Sequence, residues 1–259
     1  MKEKDEIIVV KVGGGVVEDS ESLQNLLNDF SQLPGRKVLI HGGGRSATRI
    51  AAALGVESKM VDGRRVTDEE MLRIVTMVYG GLVNKTVVAG LQAQGVNALG
   101  LTGADMDVIR SHKRTGSKVD YGWVGDVDLV DGKMLSTLIE QGVVPVMAPL
   151  THDGKGHMLN TNADTIASEV ACALAEYYNV TLTFCFEKKG VLKNADDENS
   201  VIPHITSQEY KQLVEEGVIS GGMIPKLDNS FNALSRGVKQ VIITQASNLE
   251  GSEGTCIVK

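Results

Sequence analysis

The chain has 259 residues, 42% of them apolar and 23% charged, with a formal net charge of −7. That length and apolar content suit one large α/β domain or two fused lobes and exclude a disulfide-stapled miniprotein. The acidic balance, with no run of Lys or Arg, argues against a nucleic-acid partner, because nucleic-acid phosphates are bound by clustered cations.

In chain order, short β-branched runs predict buried strands at 7–12, 37–40, 98–101, 143–147, 181–186 and 240–244. Between them, apolar residues at three- and four-residue spacing predict helices at 22–33, 68–94, 134–141, 164–176, 208–216 and 227–236. Strands alternating with helices predict a mainly parallel sheet covered on both faces. Two stretches, 59–67 and 107–130, mix polar and β-forming residues with turn signals and read as hairpins over the carboxyl ends of the strands, where a small substrate would be covered. If there are two lobes, the break falls near 177–180.

The cysteines, Cys172, Cys185 and Cys256, are odd in number, far apart and set in apolar stretches, as free thiols of a reducing compartment are. The charged N-terminus has no signal-peptide core, and no apolar run approaches membrane-spanning length, so a cytoplasmic protein with no membrane partner is expected. The histidines are dispersed and no spacing suggests metal ligands, so no protein-held metal is expected.

Two strands run into glycine triplets, Gly13-Gly14-Gly15 and Gly42-Gly43-Gly44, with Ser20 and Ser46 placed to start the following helices. Each triplet is either a tight strand-to-helix bend or a cradle in which backbone N–H groups meet an anion without Cβ interference. Neither is a Walker A loop or a dinucleotide fingerprint.

Lys11 ends a run of Ile and Val beside the first triplet, where an ammonium suits phosphate or discourages edge pairing. In Ser220-Gly221-Gly222-Met223-Ile224-Pro225-Lys226, Pro225 fits a first helical turn, leaving Lys226 near the positive end of a helix dipole, a placement an anion would relieve. In Asn160-Thr161-Asn162-Ala163-Asp164, Asn162 is a helix cap, and Asp164 either helps cap the helix or orients the two lysines. Arg64 and Arg65 sit in a hairpin, where an arginine is either solvated or offers a carboxylate a two-pronged donor.

With these segments together the chain resembles the amino acid kinase family, and within it the kinases of N-acylated glutamate. The likeness covers nearly the whole chain. It rests on Lys11-Val-Gly-Gly-Gly15, His41-Gly-Gly-Gly44, Gly63-Arg-Arg-Val-Thr67, Gly122-Trp-Val-Gly-Asp-Val127, Pro145-Val-Met-Ala-Pro149, Asn160-Thr-Asn-Ala-Asp164 and Gly221-Gly-Met-Ile-Pro-Lys226. The resemblance implies a three-layer αβα sandwich with an open, mainly parallel central sheet. Residues 1–176 would form an N-terminal lobe for acylglutamate binding and dimerisation, and residues 177–259 a C-terminal lobe for ATP.

By the same resemblance Lys11 and Lys226 stabilise the transferring phosphoryl group, Asp164 organises them, and Gly14, Gly43 and Gly44 donate backbone N–H groups. Arg65 and Asn160 hold the substrate's α-carboxylate and acylamino end. Mg²⁺ would arrive with ATP. The expected reaction is transfer of the γ-phosphoryl of ATP to the γ-carboxylate of N-acetyl- or N-succinyl-glutamate, in arginine biosynthesis. A sibling kinase of another carboxylate or of carbamate, or a non-catalytic sensor, are the alternatives.

Two departures stand out. The family usually places Thr-Asp or Ser-Asp before Val-x-Gly-Val-Leu, whereas this chain reads Cys185-Phe186-Glu187-Lys188-Lys189-Gly190-Val191-Leu192. The expected nucleotide contacts therefore fall on Glu187, Lys188, Gly190 and Leu192. Arg45 stands where the family commonly has proline. The chain also begins almost on its first strand, without the helix that arginine-inhibited hexameric relatives carry, which implies an arginine-insensitive homodimer.

Overall fold

The computed structural model describes residues 4–61, 63–116, 118–194, 196–221, 223–249 and 252–259. Its central sheet contains β1 (Glu6–Val12), β2 (Arg36–His41), β3 (Ala98–Leu101), β4 (Val144–Met147), β5 (Asn179–Phe186), β6 (His204–Ile205), β7 (Gln240–Gln245) and β8 (Thr255–Ile257). Their spatial order is β6-β8-β7-β5-β1-β2-β4-β3. Every pairing is parallel except that of β7 with β8. All six strands expected from the sequence are present, each shifted by at most two residues. The short outer strands β6 and β8 join them.

Strand alternation sorts the side chains into two cores. Ile7 and Val9 of β1, Val38 and Ile40 of β2, and Leu182 and Phe184 of β5 face helices Gly132–Glu140, Ala163–Leu174 and Met223–Ser235. Val10, Val12, Leu39 and Cys185 point the other way, toward helices Ser20–Gln32, Gly44–Ala53 and Asn84–Ala93. Period two therefore puts Lys11 on the same face as Ile7 and Val9. This is the three-layer αβα sandwich with a mainly parallel sheet.

Residues 107–130 form a hairpin as expected, pairing Ile109–Lys113 with Gly125–Val130 across a bulge between Arg110 and Ser111. Leu150–His152 and Met158–Asn160 extend it to four strands. A smaller hairpin pairs Met60–Val61 with Arg64–Arg65.

The helix expected over 68–94 is one rod whose middle is not α-helical. Glu69–Val75 and Asn84–Ala93 are α-helix, and Thr76–Val83 between them is π-helix. Contrary to the expectation from the apolar runs, Glu69–Ala93 is long enough and, at mean hydropathy 1.4, apolar enough to cross a bilayer. Here Met71, Ile74, Val75, Val78, Val83, Val87 and Leu91 pack into the core under the sheet.

Two helix starts differ from the sequence reading. The first glycine triplet itself enters a five-residue helix, Gly14–Glu18, and the next helix is capped by Asp19, whose carboxylate accepts from Ser22 N, rather than by Ser20. The second helix begins at Gly44, and Ser46 lies inside it. A short side chain is not needed there because the Glu18 carboxylate accepts from Ser46 N at 2.6 Å and satisfies a free helix donor from outside.

Candidate active site

The two glycine triplets interlock. Gly42 N donates to Val12 O at 3.0 Å, and a Cβ on Gly42 would stand 2.8 Å from Gly14 N. Only residues without side chains let β1 and β2 end this close together, which is why both strands run into glycine. The triplets are thus one structure, a floor of backbone N–H groups shared by two clefts.

The first cleft, about 680 Å³ with its open mouth, is lined by Gly42, Gly43, Gly44, Arg64, Arg65, Tyr79, Asn160 and neighbouring backbone. Arg65 is buried and anchored: its guanidinium donates to Gly44 O and Thr48 Oγ1, both at 2.8 Å, and to Ser58 Oγ at 2.7 Å. Asn160 Nδ2 donates to Thr67 Oγ1 at 2.9 Å, and Thr67 Oγ1 donates to Arg65 O at 3.1 Å. These bonds explain why Gly63-Arg-Arg-Val-Thr67 and Asn160-Thr-Asn belong together. Gly122 closes the same corner. Its φ is +71°, and a Cβ there would fall 2.2 Å from Thr67 O.

The second cleft, about 1020 Å³, is lined by Lys11, Gly13, Gly14, Gly15, Arg45, Phe186, Glu187, Lys188, Gly190 and Lys226. Gly44 lines both clefts. Of the expected nucleotide contacts, Glu187, Lys188 and Gly190 are here, whereas Leu192 lies away from the cleft, forming an isolated bridge with Val201.

Lys11 Nζ pairs with Asp164 Oδ1 at 2.7 Å, both largely buried, because helix Ala163–Leu174 presents its first turn to the Lys11 face of β1. Asn162 caps that helix as expected, accepting from Asp164 N and Thr165 N. Among the described residues Asp164 makes an ion pair with Lys11 and not with Lys226. Lys226, in the first turn of Met223–Ser235, instead stands over the Phe186 ring at 3.5 Å, and Lys11 is 5.1 Å from the same ring. Burial lowers the Lys226 pKa, partly offset by Asp164. Gly222, counted in the turn before this helix, lies outside the described residues.

Three contributors escaped the sequence reading. Phe186 is one; the pattern marked it only as apolar. Tyr79 is the second: buried on the π-helical turn, it packs so that a Cβ on Gly43 would come within 2.9 Å of its ring. Wide turns of this kind recur at functional sites. His41 is the third. It is fully buried, its Nδ1 bonded to Gly42 O at 2.7 Å and its Nε2 facing Asn84 Nδ2 at 3.1 Å. Asn84 can only donate from that atom, so the ring is neutral with its proton on Nδ1. Burial pushes its pKa down to about 4, and the bond to Gly42 only partly opposes this.

The chain is similar to known proteins over nearly its whole length. The model of the amino acid kinase family matches residues 6–245. An acetylglutamate kinase of Bacteroides thetaiotaomicron is 64% identical over 99% of this chain and all of its own length. One from Methanopyrus kandleri is 38% identical over 96% of this chain and 99% of its own. Among solved structures, smu.665 from Streptococcus mutans is 31% identical with a TM-score of 0.79, covering 97% of this chain and 98% of its own. The carbamate kinase of Giardia lamblia bound to AMP-PNP shares the fold at 17% identity and a TM-score of 0.68, over 100% of this chain and 99% of its own.

Proposed function

The chain belongs to the amino acid kinase family, and on that footing we propose that it transfers the γ-phosphoryl group of ATP to the γ-carboxylate of N-acetyl-L-glutamate or a close N-acyl analogue. The observation that carries this reading is the shared floor. Gly44 lines both the cleft of Arg65 and Asn160 and the cleft of Lys11 and Lys226, so acceptor and donor would meet over one set of backbone N–H groups.

A γ-carboxylate is already ionised near neutral pH and needs no general base, so catalysis reduces to positioning and charge neutralisation. Arg65, held from three sides, and Asn160 would orient the acylglutamate. Lys11 and Lys226 would flank the phosphoryl group, each such donor being worth about 3 to 4 kcal/mol in a dry site. Backbone N–H groups at Gly14 and Gly44 would receive the equatorial oxygens. In this reading Mg²⁺ rides on the nucleotide's phosphates, where it would spread their charge. The product is an acyl phosphate.

The reading assigns residues 1–176 to acylglutamate and 177–259 to ATP. It includes a homodimer through the first lobe, supported by Met77, Leu82 and Leu99, which are left exposed on the rod and on edge strand β3. Free cysteines, with Cys185 buried and its thiol pushed up to about 12 by burial, support a cytoplasmic enzyme.

One observation favours a second acyl group. Arg64 lines the acceptor cleft half-buried and, among the described residues, its guanidinium has no hydrogen bond or ion pair, while its neighbour Arg114 is tied to Asp126. An unspent guanidinium there suits a carboxylate-bearing acyl chain such as succinyl.

Hydroxylamine trapping tests both readings, with ATP and a panel of N-acetyl-glutamate, N-succinyl-glutamate, glutamate, aspartate and carbamate. Hydroxamate is expected from the acylglutamates. None from either would overturn the assignment, and preference for the succinyl compound that vanishes in Arg64→Ala would settle the acyl group.

A further inference from the structure

The two departures from the family pattern meet. Arg45 Nη2 and Glu187 Oε1 form an ion pair at 2.7 Å, joining positions 142 residues apart. The pair lies over Gly15, where a Cβ would stand 2.9 Å from Arg45 Nη1 and 3.0 Å from Glu187 Oε1. Both side chains line the cleft of Lys11 and Lys226. Glu187 also lines the adjoining cavity of Asn25 and Ala246, forming part of the wall between the two spaces with Gly15, Val16 and Phe186.

Two features make this pair a poor permanent strut. Its side chains are 68% and 70% exposed, and ion pairs in that setting contribute little to stability. Arg45 occupies the second position of helix Gly44–Ala53, where the helix dipole disfavours a cation. Lys226 stands at the same kind of disfavoured place, in the first turn of its own helix, and lines the same cleft. Two cations at two helix starts facing one cleft await an anion stronger than a single exposed carboxylate. A polyphosphate supplies one, and the guanidinium can grip it with paired donors.

We propose that Arg45 is a further nucleotide-phosphate ligand, held by Glu187 until ATP binds and then handed to its polyphosphate. Glu187 is then the competitor that ATP displaces, not a contact that ATP gains. The proposal rests on the kinase reading of the cleft.

Its test is the opposite sign of two neutralising substitutions, measured by calorimetric titration with Mg·ATP in the absence of acylglutamate and by steady-state kinetics. Arg45→Gln is expected to weaken ATP about tenfold while leaving KM for the acylglutamate within twofold. Glu187→Gln, which removes the competitor, is expected to tighten ATP two- to threefold. A strut between elements would instead make both substitutions act alike. Weakening by both, or ATP affinity within twofold of wild type in Arg45→Gln, overturns the proposal. Wild-type turnover in the hydroxamate assay separates this outcome from failure of the kinase reading, which would leave no turnover to compare.

Discussion

Acidification should unfold this protein partly through His41. The imidazole is sealed beneath the second glycine turn, with its pKa lowered from 6.5 to about 4. As pH falls the unfolded chain protonates His41 near 6.5 while the folded chain resists until about 4, so the unfolded state binds more protons and the fold loses stability over that window. The full gap corresponds to about 3 kcal/mol, of which about 2 kcal/mol is lost on going from about pH 7 to about pH 5. Carboxylates such as Asp153, held down to about 2 despite burial by His157 and by backbone N–H groups, add acid sensitivity of their own. The informative quantity is therefore a difference. His41→Gln keeps one donor and one acceptor but cannot titrate, and urea unfolding of both proteins at the two pH values should show a slope smaller by about 2 kcal/mol in the variant. Equal slopes, or an imidazole NMR signal from His41 that titrates near 6.5, would refute the argument that the ring is neutral and enclosed.

Lys11→Met should lower kcat by about 10²- to 10³-fold, because it removes a charged donor and strands the Asp164 carboxylate; turnover within threefold of wild type would exclude Lys11 from the transition state. Gly42→Ala should cost about 1 to 3 kcal/mol in urea unfolding and much of the activity, since its Cβ would press on Gly14 N at 2.8 Å and that backbone has no slack. An unchanged midpoint would mean the turns can part freely. Because burial lowers the Lys226 pKa, kcat should decline with rising pH before the ordinary lysine range is reached, and Lys226→Arg should move that decline upward.

The parallel core was legible because strands buried on both faces read as continuous β-branched runs set between helix-period stretches. Strands β6 and β8 were not legible: with two and three residues they have no period, and their pairing comes from neighbours. Helix Gly14–Glu18 begins with two glycines against helical propensity, and burial of Val16 and Val17 together with the Glu18 bond to Ser46 holds it in place. At the site, Lys11, Asp164, Lys226, Arg65 and Asn160 were found as charged or polar residues in places that needed a reason. Phe186 and Tyr79 gave no such signal, since an aromatic in an apolar run is ordinary until its neighbours are known. The partnership of Arg45 and Glu187 depends on two distant segments reaching one cleft, which no local window contains.

The π-helical turn in the Glu69–Ala93 rod fixes the phase between its two ends. At the start, the Asp68 cap and buried Met71 lock the rotation; beyond the wide turn, Asn84 must meet both His41 and Val146 O. An α-helix advances 100° per residue and the wider π-helical turn advances less, so rewinding all eight residues of Thr76–Val83 as α-helix would swing one end by more than a quarter turn. Either Tyr79 would leave Gly43 or Asn84 would leave His41. Substitutions along this stretch are therefore tolerable where they keep both the volume and the wide winding. In this lineage of sequences the rod should vary in composition but keep its wide turn between Asp68 and Asn84.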